Sequence, residues 1–216
     1  MLFKANEVSE YLKNISGVFH IGVHHGQELE VYKELNIDKI IFFEPMINSY
    51  LKLNEIINSF DCGELNIRTE NIALGHRDDT VNMYVETANQ GQSCSVLKPK
   101  EHLKLYPSVT FDTTAEVSQT FLDKYVDENS LDISGFNFIN IDVQGYELEV
   151  FKGAANTLNH IDLICTEVNT VELYENCAKM NELDEFLGDL YGFERVLTKF
   201  TDSQKSHGDA LYVKQH

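Results

Sequence analysis

The stretch Val18-Phe-His-Ile-Gly-Val-His-His-Gly-Gln27 constrains the fold more than any other part of the chain. Val18 to Ile21 is a short apolar run of the kind that fills a buried parallel strand. Gly22 and Gly26 follow at once. From Gln27 the pattern turns helical, with Leu29, Tyr32 and Leu35 apolar between charged residues. Strand, glycine turn and helix form the opening unit of a nucleotide-type α/β fold.

The glycine spacing narrows the ligand. A dinucleotide fingerprint needs glycines at i, i+2 and i+5, so that backbone can approach a pyrophosphate. Counted from Gly22, those places hold His24 and Gln27, and both carry bulk. The G-x-x-x-G turn suits a ligand without phosphate there, and S-adenosylmethionine is one. The bland reading is only a tight strand-to-helix turn.

Further apolar runs alternate with helical patterns along the chain. Strands are expected at 17–22, 40–43, 65–74, 80–86, 115–120, 136–141, 161–165, 193–197 and 210–213. Helices are expected at 26–35, from Pro45 to about 57, from 147 to 158 with an interruption at Gly153, and over 171–190. This pattern predicts a mainly parallel sheet with helices on both faces. No repeat or linker interrupts it, so residues 1–216 are read as a single domain. Residues 1–16 are expected to form a helical extension, centred on 5–14. Residues 87–110 are irregular, with Pro99 and Pro107, and are read as an insertion loop over the active face.

Composition excludes several classes. The chain carries 17 Lys and Arg against 35 Asp and Glu, for a net charge of −18. A surface this acidic does not neutralise phosphates, so no nucleic-acid partner is expected. No apolar run is long enough for a membrane span. The four cysteines show no C-x-x-C spacing and are read as reduced thiols, which with the lack of a signal sequence predicts a cytoplasmic protein. His20, His24, His25 and His207 lack metal-ligand spacing, so no metal is expected.

In open α/β sheets, ligands bind beyond the carboxyl ends of the strands. Gly22 to Gly26, Glu44, Asp142 and Glu167 all lie at such ends. Glu44 stands about 20 residues after the glycine turn, where an acid can accept hydrogen bonds from both ribose hydroxyls. It could instead favour the dipole of the helix that Pro45 opens. Asn71 to Leu74 would border the adenine pocket. Asp142 faces either the sulfonium or the acceptor, or caps the following helix.

At these positions the chain resembles the FkbM-type family of class I S-adenosylmethionine-dependent methyltransferases. The matching pieces are His20-Ile-Gly-Val-His-His-Gly-Gln27, Phe42-Phe-Glu-Pro45, Asn71-Ile-Ala-Leu-Gly75, Asn140-Ile-Asp-Val-Gln-Gly-Tyr-Glu147 and Ile164-Cys-Thr-Glu-Val168. The run from Asp142 to Glu147, followed by Gly153-Ala154, is the most specific. Gly192 to Val196 and Gly208 to Tyr212 add a match near the C-terminus. Many family members have Asp, Ala and Asn where His20, Val23 and His24 stand here, and Glu where Gln144 stands.

The resemblance implies a Rossmann-like class I methyltransferase fold, a seven-stranded sheet with one antiparallel strand near the C-terminus. It implies S-adenosylmethionine as cofactor and S-adenosylhomocysteine as product, bound by His20, Gly22, His24, Gly26, Glu44, Pro45, Ile72, Ala73 and Asp142. The expected reaction is O-methylation of a hydroxyl on a sugar or glycan, a nucleotide-sugar or a small metabolite. Asp142, Glu167 and His207 are the candidate bases, and Gln144, Glu147 and Tyr106 are expected against the acceptor. An inactive cofactor-binding module, or a partner subunit, is the alternative. The oligomeric state stays open, a homodimer included.

Overall fold

The computed structural model describes residue 3, residues 5–63 and residues 65–215. A helical turn, α1 (Ala5–Val8), precedes the first strand, β1 (Gly17–Ile21). The chain then runs through α2 (Leu29–Glu34), β2 (Lys39–Phe43), α3 (Ile47–Ser59), β3 (Asn66–Glu70), β4 (Ala73–Leu74) and β5 (Asp79–Glu86). It continues through α4 (His102–Leu105), β6 (Phe111–Thr120), α5 (Leu122–Glu128), β7 (Phe138–Ile141) and α6 (Glu147–Lys152). It closes with β8 (Leu163–Asn169), α7 (Met180–Tyr191), β9 (Phe193–Phe200) and β10 (His207–Lys214).

Seven strands form one sheet in the order β3-β2-β1-β7-β8-β10-β9. The first five run parallel, and β10 is antiparallel to both neighbours. This is the mainly parallel sheet that the alternating pattern predicts, with the one antiparallel strand near the C-terminus that the family resemblance implies. β1, β7 and β8 are buried at every position, which is why their sequences are largely apolar, with His20, Asn140 and Glu167 among the polar exceptions. One core cluster holds Phe19, Phe43, Phe151 and Leu187. A second holds Val18, Tyr32, Phe42 and Leu53, so apolar packing covers both faces. Among the described residues, no helix is long and apolar enough to cross a membrane.

The structure departs from the sequence pattern in several places. The N-terminal helix spans only 5–8, and residues 1, 2 and 4 lie outside the described residues. The single strand expected over 65–74 is two: β3 joins the main sheet, and β4 joins a second, three-stranded sheet, β4-β6-β5. The break falls at Asn71, whose Nδ2 donates to the carbonyls of Glu44 at 2.8 Å and Pro45 at 3.0 Å. Residues 87–110 are not a plain loop. Ser95 bridges to Tyr84, Pro99 bridges to Tyr174, and α4 lies within the segment. The helix expected from 171 starts at Met180. Tyr174 is drawn inward instead, and its hydroxyl donates to the Ser93 carbonyl and to Gln144 Oε1.

Candidate active site

The carboxyl ends of β1, β2, β7 and β8 open into two joined hollows. A narrow cleft lies beside Glu44, walled by Pro45, Ile72, Ala73, Met83 and Tyr146. A wider cavity of about 520 Å³ continues past Asp142 to Glu167 and His207. Gly22, His24, Gln92, Asp142 and Gln144 line both. An apolar slot joined to a polar chamber is the usual form of a small-molecule site.

Gly22 sets the floor where the hollows meet. Its φ is +78°, and a Cβ there would lie 1.9 Å from the Asp142 carbonyl oxygen. Only glycine lets the ends of β1 and β7 approach this closely.

Glu44 is 5% exposed at the tip of β2. The His24 N–H donates to its Oε2 at 2.8 Å, and the Met46 N–H donates to Oε1 at 2.8 Å. Each oxygen keeps lone-pair capacity for one more donor. Burial raises its pKa to about 7, against the pull of these two amides.

At the other end of the cleft, Asp142 opens to solvent through the cavity, yet the surrounding protein strips water from its carboxyl and raises its pKa. Gln144 Nε2 donates to Asp142 Oδ1 at 2.6 Å and to Glu167 Oε2 at 3.4 Å. Gln144 itself takes φ +55° and accepts from the Tyr174 hydroxyl at 2.8 Å. Its amide therefore sits between two acids. Burial first, then the charges of Asp142 and Glu147, push the Glu167 pKa well above the carboxylate range. Asp142, Glu147 and Glu167 bring carboxylate oxygens within 4.8 Å of one another, a grouping that could hold a cation.

The far wall carries His207. Its Nε2 lies 3.2 Å from the Tyr106 hydroxyl and 3.0 Å from Thr201 Oγ1. Ser206 Oγ lies 2.9 Å from Nδ1, and Asp202 Oδ2 lies 3.9 Å from it. Ser206 Oγ also donates to Asp202. Burial lowers the His207 pKa, so the ring is neutral near pH 7.

The expected site residues do not all reach the hollows. Glu147 is fully buried and lines neither, so it does not face an acceptor. Its Oε1 turns back to accept from the Val143 and Gly145 amides, each at 3.1 Å, and braces the turn after β7. Gly26 lines neither hollow: a Cβ there would meet Leu53 Cδ1 at 2.8 Å, so the position serves packing against α3. His20 lines the cavity but is tied to Tyr32, whose hydroxyl lies 3.0 Å from Nδ1. The His24 ring is engaged by the Gln90 carbonyl at 2.8 Å, leaving its amide as the group that serves Glu44. Pro45, Ile72, Ala73, Gln144 and Tyr106 all line one hollow or both.

Other lining residues escaped the sequence reading. Glu28 sits just past the glycine turn, and Asn140 is an interior strand residue. Asp209 stands opposite Glu167 in the β8–β10 pairing, a contact that spacing alone does not reveal. Asn140 had one signal, a polar residue inside an apolar strand. Its Nδ2 donates to the Tyr32 hydroxyl at 2.7 Å.

The fold is Rossmann-like, and its class, a methyltransferase, follows from the family that the chain matches. The FkbM methyltransferase domain matches residues 20–195, most of the chain. The chain belongs to the FkbM family of S-adenosylmethionine-dependent methyltransferases. It is 27% identical over 176 residues to the 2-O-methyltransferase NoeI of Sinorhizobium fredii, covering 79% of this chain and 70% of that protein. The crystal structure of a methyltransferase FkbM from Methylobacillus flagellatus superposes with a TM-score of 0.62 at 13% identity. That match covers 92% of this chain, which spans 43% of the other. The S-adenosylmethionine-bound magnesium protoporphyrin IX methyltransferase of Synechocystis has the same fold, with a TM-score of 0.53 at 9% identity over 97% of this chain and 74% of that one.

Proposed function

We propose that this chain transfers a methyl group from S-adenosylmethionine to a hydroxyl of a sugar, a glycan or a small metabolite. The observation that carries the reading is Glu44. It is a buried acceptor, fixed by two amides, at the mouth of an apolar cleft that leads to a chamber with a neutral histidine. The donor set fits an adenosyl group: two free acceptor positions for a ribose diol, and apolar walls for a base. The printed function of the relative, a 2-O-methyltransferase, supports a hydroxyl acceptor.

In this reading Glu44 accepts both ribose hydroxyls. Pro45, Ile72 and Ala73 flank the adenine. Asp142, at the junction of the hollows, faces the cationic centre. When bound, the cofactor supplies an electrophilic methyl on a sulfonium. The chamber's walls hold the acceptor hydroxyl in line with that methyl, and alignment supplies most of the acceleration.

His207 takes the hydroxyl proton as the new bond forms. Its imidazole is neutral near pH 7, whereas burial raises the pKa of the Glu167 carboxyl and so favours its protonated form, and Gln144 holds Asp142 Oδ1. Asp202 lies on the Nδ1 side and steadies the imidazolium that forms. Tyr106 and Thr201 fix the ring. Residues 87–110 contribute acceptor contacts through Gln92, His102 and Tyr106.

The test is methyl transfer from radiolabelled S-adenosylmethionine to a panel of sugars, glycans and small alcohols. Label in an ether linkage supports the reading. Cofactor binding without transfer to any member would leave a binding module instead.

A further inference from the structure

Among the described residues, the side chains with a buried polar atom that meets no hydrogen-bond partner are His102, Gln119, Glu147 and Asn169. Of these, only His102 lines a hollow of the site. It opens α4, inside the 87–110 segment, and its Nδ1 is the unpartnered atom. Packing alone holds the ring. Tyr106, Phe111 and Tyr174 surround it, with ring centroids 5.1, 5.3 and 5.5 Å away. The His102 backbone N–H donates to the Leu173 carbonyl at 3.1 Å and ties α4 to the 171–179 segment.

His207 supplies the contrast. It too packs on Tyr106, at 5.8 Å, yet Tyr106, Thr201 and Ser206 engage both of its ring nitrogens. His102 is 4% exposed, and burial first, then the neighbouring His207, lowers its pKa. It is a neutral imidazole, with one N–H to give and one nitrogen to accept. Among three aromatic rings, phenylalanine would fill the same place and leave no buried nitrogen unpaired. A nitrogen kept at that cost on the chamber wall finds its partner in a ligand. A half-turn of the ring exchanges nitrogen and carbon positions at equal packing, so the ring meets a hydroxyl as donor or as acceptor.

We propose that His102 hydrogen-bonds a second, non-reacting hydroxyl of the acceptor, so that the chamber selects molecules with two or more hydroxyl groups over alcohols with one. That another hydroxyl of the same molecule is methylated rests on the methyltransferase reading; the selection itself is a binding property of the chamber. His102 is then a specificity residue, and His207 beside it handles the proton.

The test titrates the full chain, with and without S-adenosylhomocysteine, with methyl glucoside, vicinal cyclohexanediol and cyclohexanol. The parent should bind the first two about three- to tenfold tighter than cyclohexanol, the worth of one hydrogen bond. His102→Phe keeps the aromatic packing and should erase that advantage, with cyclohexanol binding changed by less than about twofold. His102→Ala repeats the test with a smaller side chain, and His102→Asn, which still hydrogen-bonds, should keep part of the advantage. A parent that binds the diol no tighter than cyclohexanol overturns the proposal. So does a folded His102→Phe or His102→Ala that keeps the advantage, or one that loses all three probes alike, as a merely structural histidine would. The S-adenosylhomocysteine affinity from the same titration tests the cofactor reading separately, and the probe order on the ligand-free chain stands whatever that affinity is.

Discussion

The backbone N–H of His24 donates to Glu44 Oε2 at 2.8 Å, joining the glycine turn after β1 to the tip of β2. The contact spans 20 residues of sequence and holds in place the carboxylate that we propose accepts the ribose hydroxyls. It also makes Glu44 a buried acid that must titrate.

Glu44 therefore couples cofactor binding to pH. Ribose hydroxyls stabilise the ionised form. Burial raises its pKa from 4.5 to about 7, so at pH 6 most of the protein holds a proton there. Binding at pH 6 should release close to one proton, and affinity should rise about fivefold from pH 6 to pH 7 and about tenfold in all before levelling above about pH 8. Calorimetry in buffers of different ionisation enthalpy reads the proton count. Glu44→Gln should abolish the release and weaken binding at every pH.

The same shift has a stability consequence of opposite sign to the common carboxylate case. The folded chain binds this proton more tightly than the unfolded chain. Stability is therefore full below about pH 4.5 and falls as pH rises to about 7, by about 3 kcal/mol for this group. Denaturant melts of Glu44→Gln should lose that part of the slope.

His207 and Asp202 should separate in kinetics. His207→Ala is expected to lower kcat by about 10²- to 10⁴-fold with cofactor affinity unchanged. Asp202→Asn should lower kcat less and depress the kinetic pKa assigned to His207, because the imidazolium loses its nearby carboxylate. An unchanged pH profile in Asp202→Asn would remove that residue from the account.

Gln144 offers a structural test. Its amide hydrogens hold Asp142 and Glu167 together. Gln144→Glu replaces a donor between two acids with a third acid, at an expected cost of about 1–3 kcal/mol that grows with pH. Thermal melts at pH 5 and pH 8 measure it. A variant as stable as the parent at both would mean that the acids need no bridge.

Much of the fold was legible because its central strands are buried on both faces, and Val18 to Ile21, Ile40 to Phe43 and Phe138 to Ile141 announce themselves as apolar runs. Glu44, Asp142 and Glu167 stood out as acids at the ends of such runs. What escaped depends on long-range partners. Ala73 and Leu74 join a second sheet because Asn71 ties the chain to Glu44 and Pro45. The 171–179 segment has apolar spacing, but the inward hydrogen bonds of Tyr174 override it. Glu147 reads as an acid beside the site, and only its bonds to two turn amides reveal a bracing role. Asp209 reaches the chamber through strand pairing with Glu167, which no local pattern encodes.

The central claim is that the cleft beside Glu44 holds the adenosyl end of S-adenosylmethionine. Calorimetric titration of the chain and of Glu44→Ala with S-adenosylmethionine, S-adenosylhomocysteine and NAD tests it most directly. The account predicts micromolar binding of the two adenosyl ligands, no binding of NAD, and at least about tenfold weaker binding by the folded variant, as expected for losing a charged hydrogen-bond acceptor. Equal affinity of variant and parent would contradict it.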